Sequence, residues 1–368
     1  MSRSVIAVVA AALAAIGACT APPDAGFERS ASGDPAPRLS TLADFPVGVA
    51  VPAGPWPNSL LTSPERQALV NRHFNSLTAE NIMKMAYLQP ARAEFHFEHA
   101  DALVEYAGRH DMRMHGHALV WHKQAPDWMN EFAGTREEFV GMLEDHVRTV
   151  AAHFAGKLTS WDVVNEAFTD DVPTAYRDTP WYEHIGPEYI ELAFRLAREA
   201  DPQADLYYND YDISGALGPD KLNRILEMVD DFQAREVPID GIGFQMHIDA
   251  DTPDLDAIRE SFAKAVERGI KVRISELDVS MNTGAQYTQF NPELAELQRQ
   301  RYADVIRVYK QTVPANLRGG ITVWGITDGD SWIPEFRNRP DWPLLFDAEF
   351  QAKPALLGMV EGLTASEQ

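Results

Sequence analysis

One cysteine, Cys19, is present in 368 residues, which excludes an internal disulfide and any zinc cage built on cysteine. Basic residues are also scarce: 32 Lys and Arg stand against 55 Asp and Glu, for a formal net charge of −23. Such a field repels phosphate backbones and anionic headgroups, so nucleic acid is not an expected partner. It suits a neutral ligand better than an anionic one, although net charge does not decide what a local cleft binds. No apolar run reaches the roughly 20 residues that a membrane-spanning helix needs. No G-x-G-x-x-G or Walker-type run follows the first strand pattern, which removes the usual cradle for a dinucleotide or a nucleoside triphosphate. Sequence repeats are absent. What the chain does have is 45% hydrophobic residues and eight tryptophans, enough for one large core with aromatic rings left over for a binding surface.

The N-terminus carries Arg3, an unbroken apolar run from Val5 to Ile16, and then small residues before Cys19. This is the layout of a secretory signal, and residues 1–18 are set outside the fold. Ile16-Gly17-Ala18-Cys19 resembles a bacterial lipoprotein signal. The resemblance implies cleavage before Cys19, acylation of that cysteine, and an exported protein held by lipid to the bacterial envelope. Thr20 in the following position implies the outer membrane, with the domain facing the periplasm or the cell surface. Residues 19–44, rich in Pro, Ala, Ser, Gly and Asp, read as a flexible tether. The remaining residues, 45–368, read as a single domain, expected to be monomeric and to meet a membrane only through Cys19.

From Pro46 onward, short β-branched or apolar runs alternate with longer amphipathic stretches. Strands are expected at Val47–Val51, Ser76–Thr78, Met114–Val120, Ser160–Val164, Asp205–Asn209, Gly241–Gln245, Lys271–Ser275 and Gly320–Trp324. Helical patterns between them include Arg136–His153, Pro187–Ala200, Lys221–Arg235, Leu255–Arg268 and Pro292–Gln311. Eight strand-helix units at this length point to an α/β fold of the closed (β/α)8 TIM-barrel type, against an open doubly wound sheet as the competitor.

Polar and aromatic residues fall where the strand patterns stop: Thr78 with Glu80 and Asn81, His117 with Trp121 and His122, Asn165 with Glu166, Asn209, Gln245 with His247, Glu276, and Trp324. A single residue of this kind is most simply a cap or turn residue. Their coincidence on successive strands places them together at the C-terminal mouth of a barrel, where barrel enzymes carry their chemistry. Two of them are carboxylates on the fourth and seventh strands, Glu166 and Glu276, expected on opposing sides of the mouth. Paired carboxylates are what glycoside hydrolysis needs, one to protonate the leaving oxygen and one to attack or to activate water.

At these residues the sequence resembles the family 10 glycoside hydrolases, the (β/α)8 endo-1,4-β-xylanases. The resemblance rests on Trp161 to Glu166 and Ser275-Glu276-Leu277-Asp278. It is strengthened by Thr78-Ala79-Glu80-Asn81-Ile82-Met83-Lys84, Gly116-His117-Ala118-Leu119-Val120-Trp121-His122, Gly241 to His247 and Thr322 to Asp328, and runs in order from about Pro46 to Leu363. It implies Glu166 as acid/base and Glu276 as nucleophile in a retaining double displacement, for which carboxyl groups stand about 5 to 5.5 Å apart, against roughly 6.5 to 9.5 Å for inversion. It also implies that His247 and Asp278 form a hydrogen-bonded chain to the nucleophile, and that xylan or xylo-oligosaccharide is the substrate, with no cofactor and no metal.

A neutral polysaccharide offers hydroxyls and apolar ring faces, so its site calls for polar side chains and aromatic platforms. Glu80, Asn81, Lys84, His117, Gln124, Asn165 and Gln245 supply the first, and Trp121, Tyr211, Trp324 and Trp332 the second. In the family pattern Asn165 bonds the 2-hydroxyl of the sugar under attack. Trp128 and Trp161 read as packing residues, while Trp56, Trp181 and Trp342 stay unassigned. His115 stands where the family commonly carries arginine, Phe244 where a smaller residue is common, and Trp332–Pro343, with Arg337 and Arg339, reads as a family-variable loop. Two other readings compete: a catalytically silent carbohydrate-binding lipoprotein on the same barrel, and a metal-dependent hydrolase with His117, His122, His247, Glu276 and Asp278 as ligands.

Overall fold

The computed structural model describes residues 37–170, 176–215 and 218–366. Cys19 and the leader lie outside them. The strands are β1 (Val47–Val51), β2 (Ser76–Ala79), β3 (Arg113–Trp121), β4 (Ser160–Asn165), β5 (Asp205–Asp210), β6 (Gly241–Phe244), β7 (His247–Asp249), β8 (Lys271–Ser280) and β9 (Arg318–Val323). The main helices are α1 (Pro64–His73), α2 (Glu98–Arg109), α3 (Arg136–His153), α4 (Glu188–Ala200), α5 (Asp220–Ala234), α6 (Leu255–Val266) and α7 (Pro292–Thr312), which cross over between strands, and α8 (Pro354–Thr364), which follows the last strand. All strand pairings are parallel, β6 pairs with β8, and β9 returns to β1 through Val47↔Ile321 and Gly48↔Thr322. The result is a closed barrel of eight strands, the (β/α)8 fold expected from the sequence.

Local chemistry starts the helices where the pattern places them. Thr135 accepts from the Glu138 N–H at 3.3 Å while the Glu138 carboxylate accepts from the Thr135 N–H at 2.8 Å, a capping box that opens α3. Asp254 caps α6 and Asn291 caps α7, the latter with Pro292 in its first turn. Helix α8 lies against α7 at a glycine: a Cβ on Gly358 would stand 2.1 Å from the Arg299 carbonyl oxygen. Trp161, fully buried, faces the end of α3 with its ring centroid 6.1 Å from that of Phe154. Its indole covers Gly116 on β3, where a Cβ would come within 2.1 Å of the ring. Trp161 is thus a packing residue, and so is Trp181, 1% exposed.

The structure departs from the sequence reading in three places that matter for the site. The seventh barrel strand, β8, continues to Ser280 instead of stopping at Ser275, because Met246 turns through φ +62° and the chain re-enters as the short strand β7, which pairs with Asp278–Ser280. Glu276 therefore sits within a strand, at a register shift between Ile274 and Leu277 relative to β9, and the irregularity re-aims the local side chains. Next, only β5 and β6 separate β4 from β8 around the wall, so the two carboxylate strands are three steps apart and not diametrically opposed. Finally, residues 37–44, assigned by composition to the tether, pack with the barrel: Leu39 is fully buried and Asp44 lies 3.5 Å from the Arg318 guanidinium. A lone buried leucine leaves no periodic mark in a Pro- and Ser-rich stretch.

Candidate active site

The strand ends converge on a cleft of about 450 Å³ at the C-terminal mouth. Four non-glycine residues in or next to its wall adopt the left-handed backbone region. Glu166, immediately after β4, has φ +56°, and Gln124, Asp212 and Met246 have +50°, +54° and +62°. Side chains with a Cβ adopt this region at a cost of order 1 kcal/mol or more, sustained by the surrounding contacts. The Glu166 N–H donates to the Asn209 carbonyl at 2.9 Å, which pins the turn to the neighbouring strand.

Amide side chains link the two glutamates. Gln245 Nε2 donates to Glu166 Oε1 at 3.2 Å and lies 3.2 Å from the Asn165 amide oxygen. Asn209 Nδ2 lies 3.0 Å from that same atom and donates to Glu276 Oε1 at 2.8 Å. Ser275 Oγ donates to Asn209 Oδ1 at 2.6 Å and so fixes which way the Asn209 amide faces.

The two carboxylates have different surroundings. Glu276 Oε1 is bonded to Asn209, and Oε2 lies 3.2 Å from His247 Nε2. His247 Nδ1 is in turn 2.9 Å from Asp278 Oδ2, which also accepts from the Trp332 indole N–H at 2.9 Å. Burial alone would strip the proton from His247, but the carboxylates of Asp278 and Glu276 override it and push the imidazolium up to about 10. Burial would likewise raise Glu276, yet the hydrogen bond from His247 holds it below the ordinary carboxylate value. Glu166 is equally buried, but its Oε2 has no hydrogen-bond partner, and Lys123 Nζ approaches it only to 3.9 Å. Arg177 Nε donates to the Glu166 carbonyl at 3.1 Å and holds the backbone.

Further along the cleft, Asn81 Oδ1 accepts from both Lys84 Nζ and Gln124 Nε2 at 3.1 Å, and Lys84 Nζ lies 4.7 Å from the Trp121 ring centroid. Burial, seconded by Asp330, pushes Glu80 up to about 7, and burial brings Lys84 down to about 8. Tyr211 is fixed by its hydroxyl, which donates to Asp170 at 2.6 Å and accepts from Arg177 at 2.7 Å, with Lys221 Nζ 3.7 Å from its ring centroid. Beneath the floor, Asp162 Oδ2 lies 2.9 Å from His117 Nδ1 and 3.0 Å from His115 Nε2. Burial lowers His115, and despite burial the two histidines hold Asp162 well below the usual carboxylate range.

Of the residues singled out from the sequence, Glu80, Asn81, Lys84, His117, Trp121, Asn165, Glu166, Tyr211, Gln245, His247, Glu276, Trp324 and Trp332 all line this cleft. Gln124 stands behind Asn81, and Asp278 is buried beneath His247. Trp332 also donates its indole N–H to Asp278 and so braces that carboxylate. The metal-hydrolase reading loses its donors: His247 has both ring nitrogens on carboxylates, His117 has Nδ1 on Asp162, and no three His, Cys, Asp or Glu gather around a common point among the described residues. Lys123, Asp212 and Asp330 on the cleft wall, and Asp162 below it, were not singled out from the sequence, and Phe336 and Arg337 were placed only in a variable loop with no site role. Asp162 had a signal in its parity with Val164 inside a quoted strand, whereas the others sit on loops whose path no periodicity records.

The family model for glycosyl hydrolase family 10 matches residues 39–362. The chain belongs to that family. An endo-beta-1,4-xylanase of Cellvibrio japonicus is 44% identical over 347 residues, which are 88% of this chain and 57% of the relative, so the chain spans a little over half of that protein's length. Endo-1,4-beta-xylanase B of Thermotoga neapolitana is 37% identical over 88% of this chain and 90% of its own. Among solved structures, a family 10 xylanase of C. japonicus in complex with xylopentaose superposes with a TM-score of 0.86 at 43% identity, over 89% of this chain and 69% of that one.

Proposed function

We propose that this protein is a retaining endo-1,4-β-xylanase acting on xylan or xylo-oligosaccharides, with Glu276 as nucleophile and Glu166 as acid/base. The observation that carries the reading is the asymmetry between two equally buried carboxylates. Glu276 has both oxygens engaged and a cation behind it, which suits a group that must stay ionised; Glu166, on the cleft lining, has one buried oxygen without a hydrogen-bond partner, which suits a group that carries a proton and passes it to a leaving oxygen. Family membership and relatives named as endoxylanases support the substrate class.

In this reading Glu276 attacks the anomeric carbon as the glycosidic C–O bond breaks and Glu166 passes its proton to the departing oxygen. Esterification of Glu276 removes a negative charge from the site. The ionised Glu166 then takes a proton from water, which attacks the same carbon and frees Glu276. Asn165, Asn209 and Gln245 hold the two acids in register, and Glu80, Asn81 and Lys84 bind sugar hydroxyls on the glycone side. His247 and Asp278 keep Glu276 charged and oriented.

The test combines variants and stereochemistry. Glu276→Ala abolishes turnover, and the wild type first releases the β-anomer. Glu166→Ala spares substrates with good leaving groups far more than xylan, because only poor leaving groups need protonation. An α-anomer as first product overturns retention, and equal losses on both substrate types remove the acid role. Turnover undiminished in Glu276→Ala overturns the assignment altogether. We further propose that Cys19 anchors the domain to the bacterial envelope: Cys19→Ala releases it from the membrane fraction, and unchanged fractionation refutes the anchor.

A further inference from the structure

The loop after β9 carries a row of side chains that xylan hydrolysis as described above does not use. The row lies beyond Trp332, whose indole is fixed on Asp278, on a one-turn helix, Ile333–Arg337, closed by Asn338 in the left-handed region at φ +50°. The Phe336 N–H donates to the Trp332 carbonyl at 3.0 Å and the Arg339 N–H to the Pro334 carbonyl at 3.2 Å, so the turn has a defined shape. Phe336 packs on Trp332 with ring centroids 5.0 Å apart, and the Arg337 guanidinium lies 5.7 Å from the Phe336 ring centroid. The row Asp278, Trp332, Phe336, Arg337 thus leads from the Glu276 network out to the rim. Phe336 and Arg337 both line the cleft.

Two properties of this rim are unexpected for a protein that handles only a neutral chain. Phe336 is 67% exposed, the most exposed large apolar residue among those described. Arg337 has no carboxylate within 4.0 Å among the described residues, although the molecule carries 55 acidic residues. The other cations around the cleft are engaged. Arg66 pairs with Asp330 at 2.6 Å, Lys84 donates to Asn81, Lys123 approaches Glu166, and on the same loop Arg339 donates to Ser280 at 3.1 Å and lies 3.5 Å from Asp341. Arg337 is the cation on the wall without such a contact: Asp212, across the same cleft, feels its charge only from beyond 4.0 Å and leaves the guanidinium fork open to an incoming carboxylate.

A xylose backbone offers this guanidinium no charge. A sugar acid attached to the backbone offers two matching features, a carboxylate for the fork of Arg337 and a C–H ring face for Phe336. We propose that Phe336 and Arg337 form a recognition lip for a carboxylate-bearing substituent, so that the preferred substrate is a xylan decorated with uronic acid. This rests on the xylanase reading above and adds the substrate class to it. Against a net charge of −23, which repels anionic chains at long range, the lip acts at contact distance, where a local pair outweighs a screened field.

The experiment compares kcat/KM on a uronic-acid-substituted xylo-oligosaccharide with kcat/KM on the same compound after its carboxyl is reduced to the alcohol, with linear xylohexaose as reference. The wild type favours the acid form about fivefold at low salt, the size expected of a partly exposed bidentate pair, and the preference shrinks as ionic strength rises. Arg337→Gln brings the ratio close to one, and Arg337→Lys retains part of it. Phe336→Ala lowers kcat/KM on both substituted forms and leaves their ratio in place. A wild-type ratio of one or below overturns the proposal, as does a ratio that Arg337→Gln leaves unchanged. If linear xylohexaose is not cut at all, the xylanase reading itself fails.

Discussion

Replacing His247 by Gln keeps a hydrogen-bond donor near Glu276 but removes the positive charge between two buried carboxylates. At the observed 3.2 Å and an effective dielectric of about 20, the lost imidazolium–carboxylate attraction is about 5 kcal/mol. Breaking a buried pair costs about 3 to 5 kcal/mol, and the retained amide donor places this change at the lower end. At 1.36 kcal/mol per tenfold, kcat/KM at neutral pH falls by about a hundredfold or more. The sign of the pH effect follows from the causes. Burial pushes the Glu276 carboxyl up and the His247 bond brings it down, so without His247 the burial is unopposed and the acidic limb of the kcat/KM profile moves toward neutral pH. The assay is the pH dependence of kcat/KM on a linear xylo-oligosaccharide, with thermal unfolding run in parallel to show that the variant is folded. A His247→Gln enzyme with an unmoved acidic limb and kcat/KM within about threefold of wild type would refute the role of the His247 charge.

The same imidazolium makes a prediction for stability. His247 is held at about 10 against an ordinary 6.5, so its contribution is complete below about 6.5 and is lost as pH rises through about 10; denaturant unfolding at both ends of that window should show a smaller loss in His247→Gln than in wild type. Lys84, brought down to about 8 by burial, loses its charge above that pH, so KM for short xylo-oligosaccharides should rise there. Lys84→Met should raise KM roughly ten- to a hundredfold at neutral pH, since a charged hydrogen bond is worth about 1.5 to 3 kcal/mol, and an unchanged KM would separate Lys84 from sugar binding. Gly116→Ala drives a methyl into the Trp161 ring at 2.1 Å and should destabilise the barrel by about 1 to 3 kcal/mol or more, read as a drop in the urea midpoint at constant m-value.

The barrel was legible because strand runs and polar stops carry a period and a place. Val47, Ser76, Ser160, Asp205, Gly241 and Lys271 begin strands as their patterns predict, and the residues just beyond those runs meet in one cleft. What the sequence left hidden depends on contacts between distant segments. Asn209 looks like an ordinary strand terminus until closure sets it between Asn165 and Glu276, and Ser275 matters only because Asn209 faces it. The short strand β7 has no run of its own and exists because β8 extends far enough to pair with it. Arg337 was visible as a charge on a variable loop, but the absence of a carboxylate within 4.0 Å of it among the described residues is a property of three-dimensional neighbours and has no trace in local composition.

The seam between β1 and β9 has a consequence for biosynthesis. Val47 finds its partner Ile321 only after more than two hundred and seventy intervening residues have been made. At about 5 to 20 residues per second, the ribosome leaves that flank of β1 without its neighbour for roughly 14 to 55 seconds. Throughout that interval the growing chain presents a Val-rich ribbon with open amides, a surface on which other chains can dock. Yield in a host should therefore depend on how well that half-built wall is shielded until the last strand arrives, whatever the stability of the finished ring.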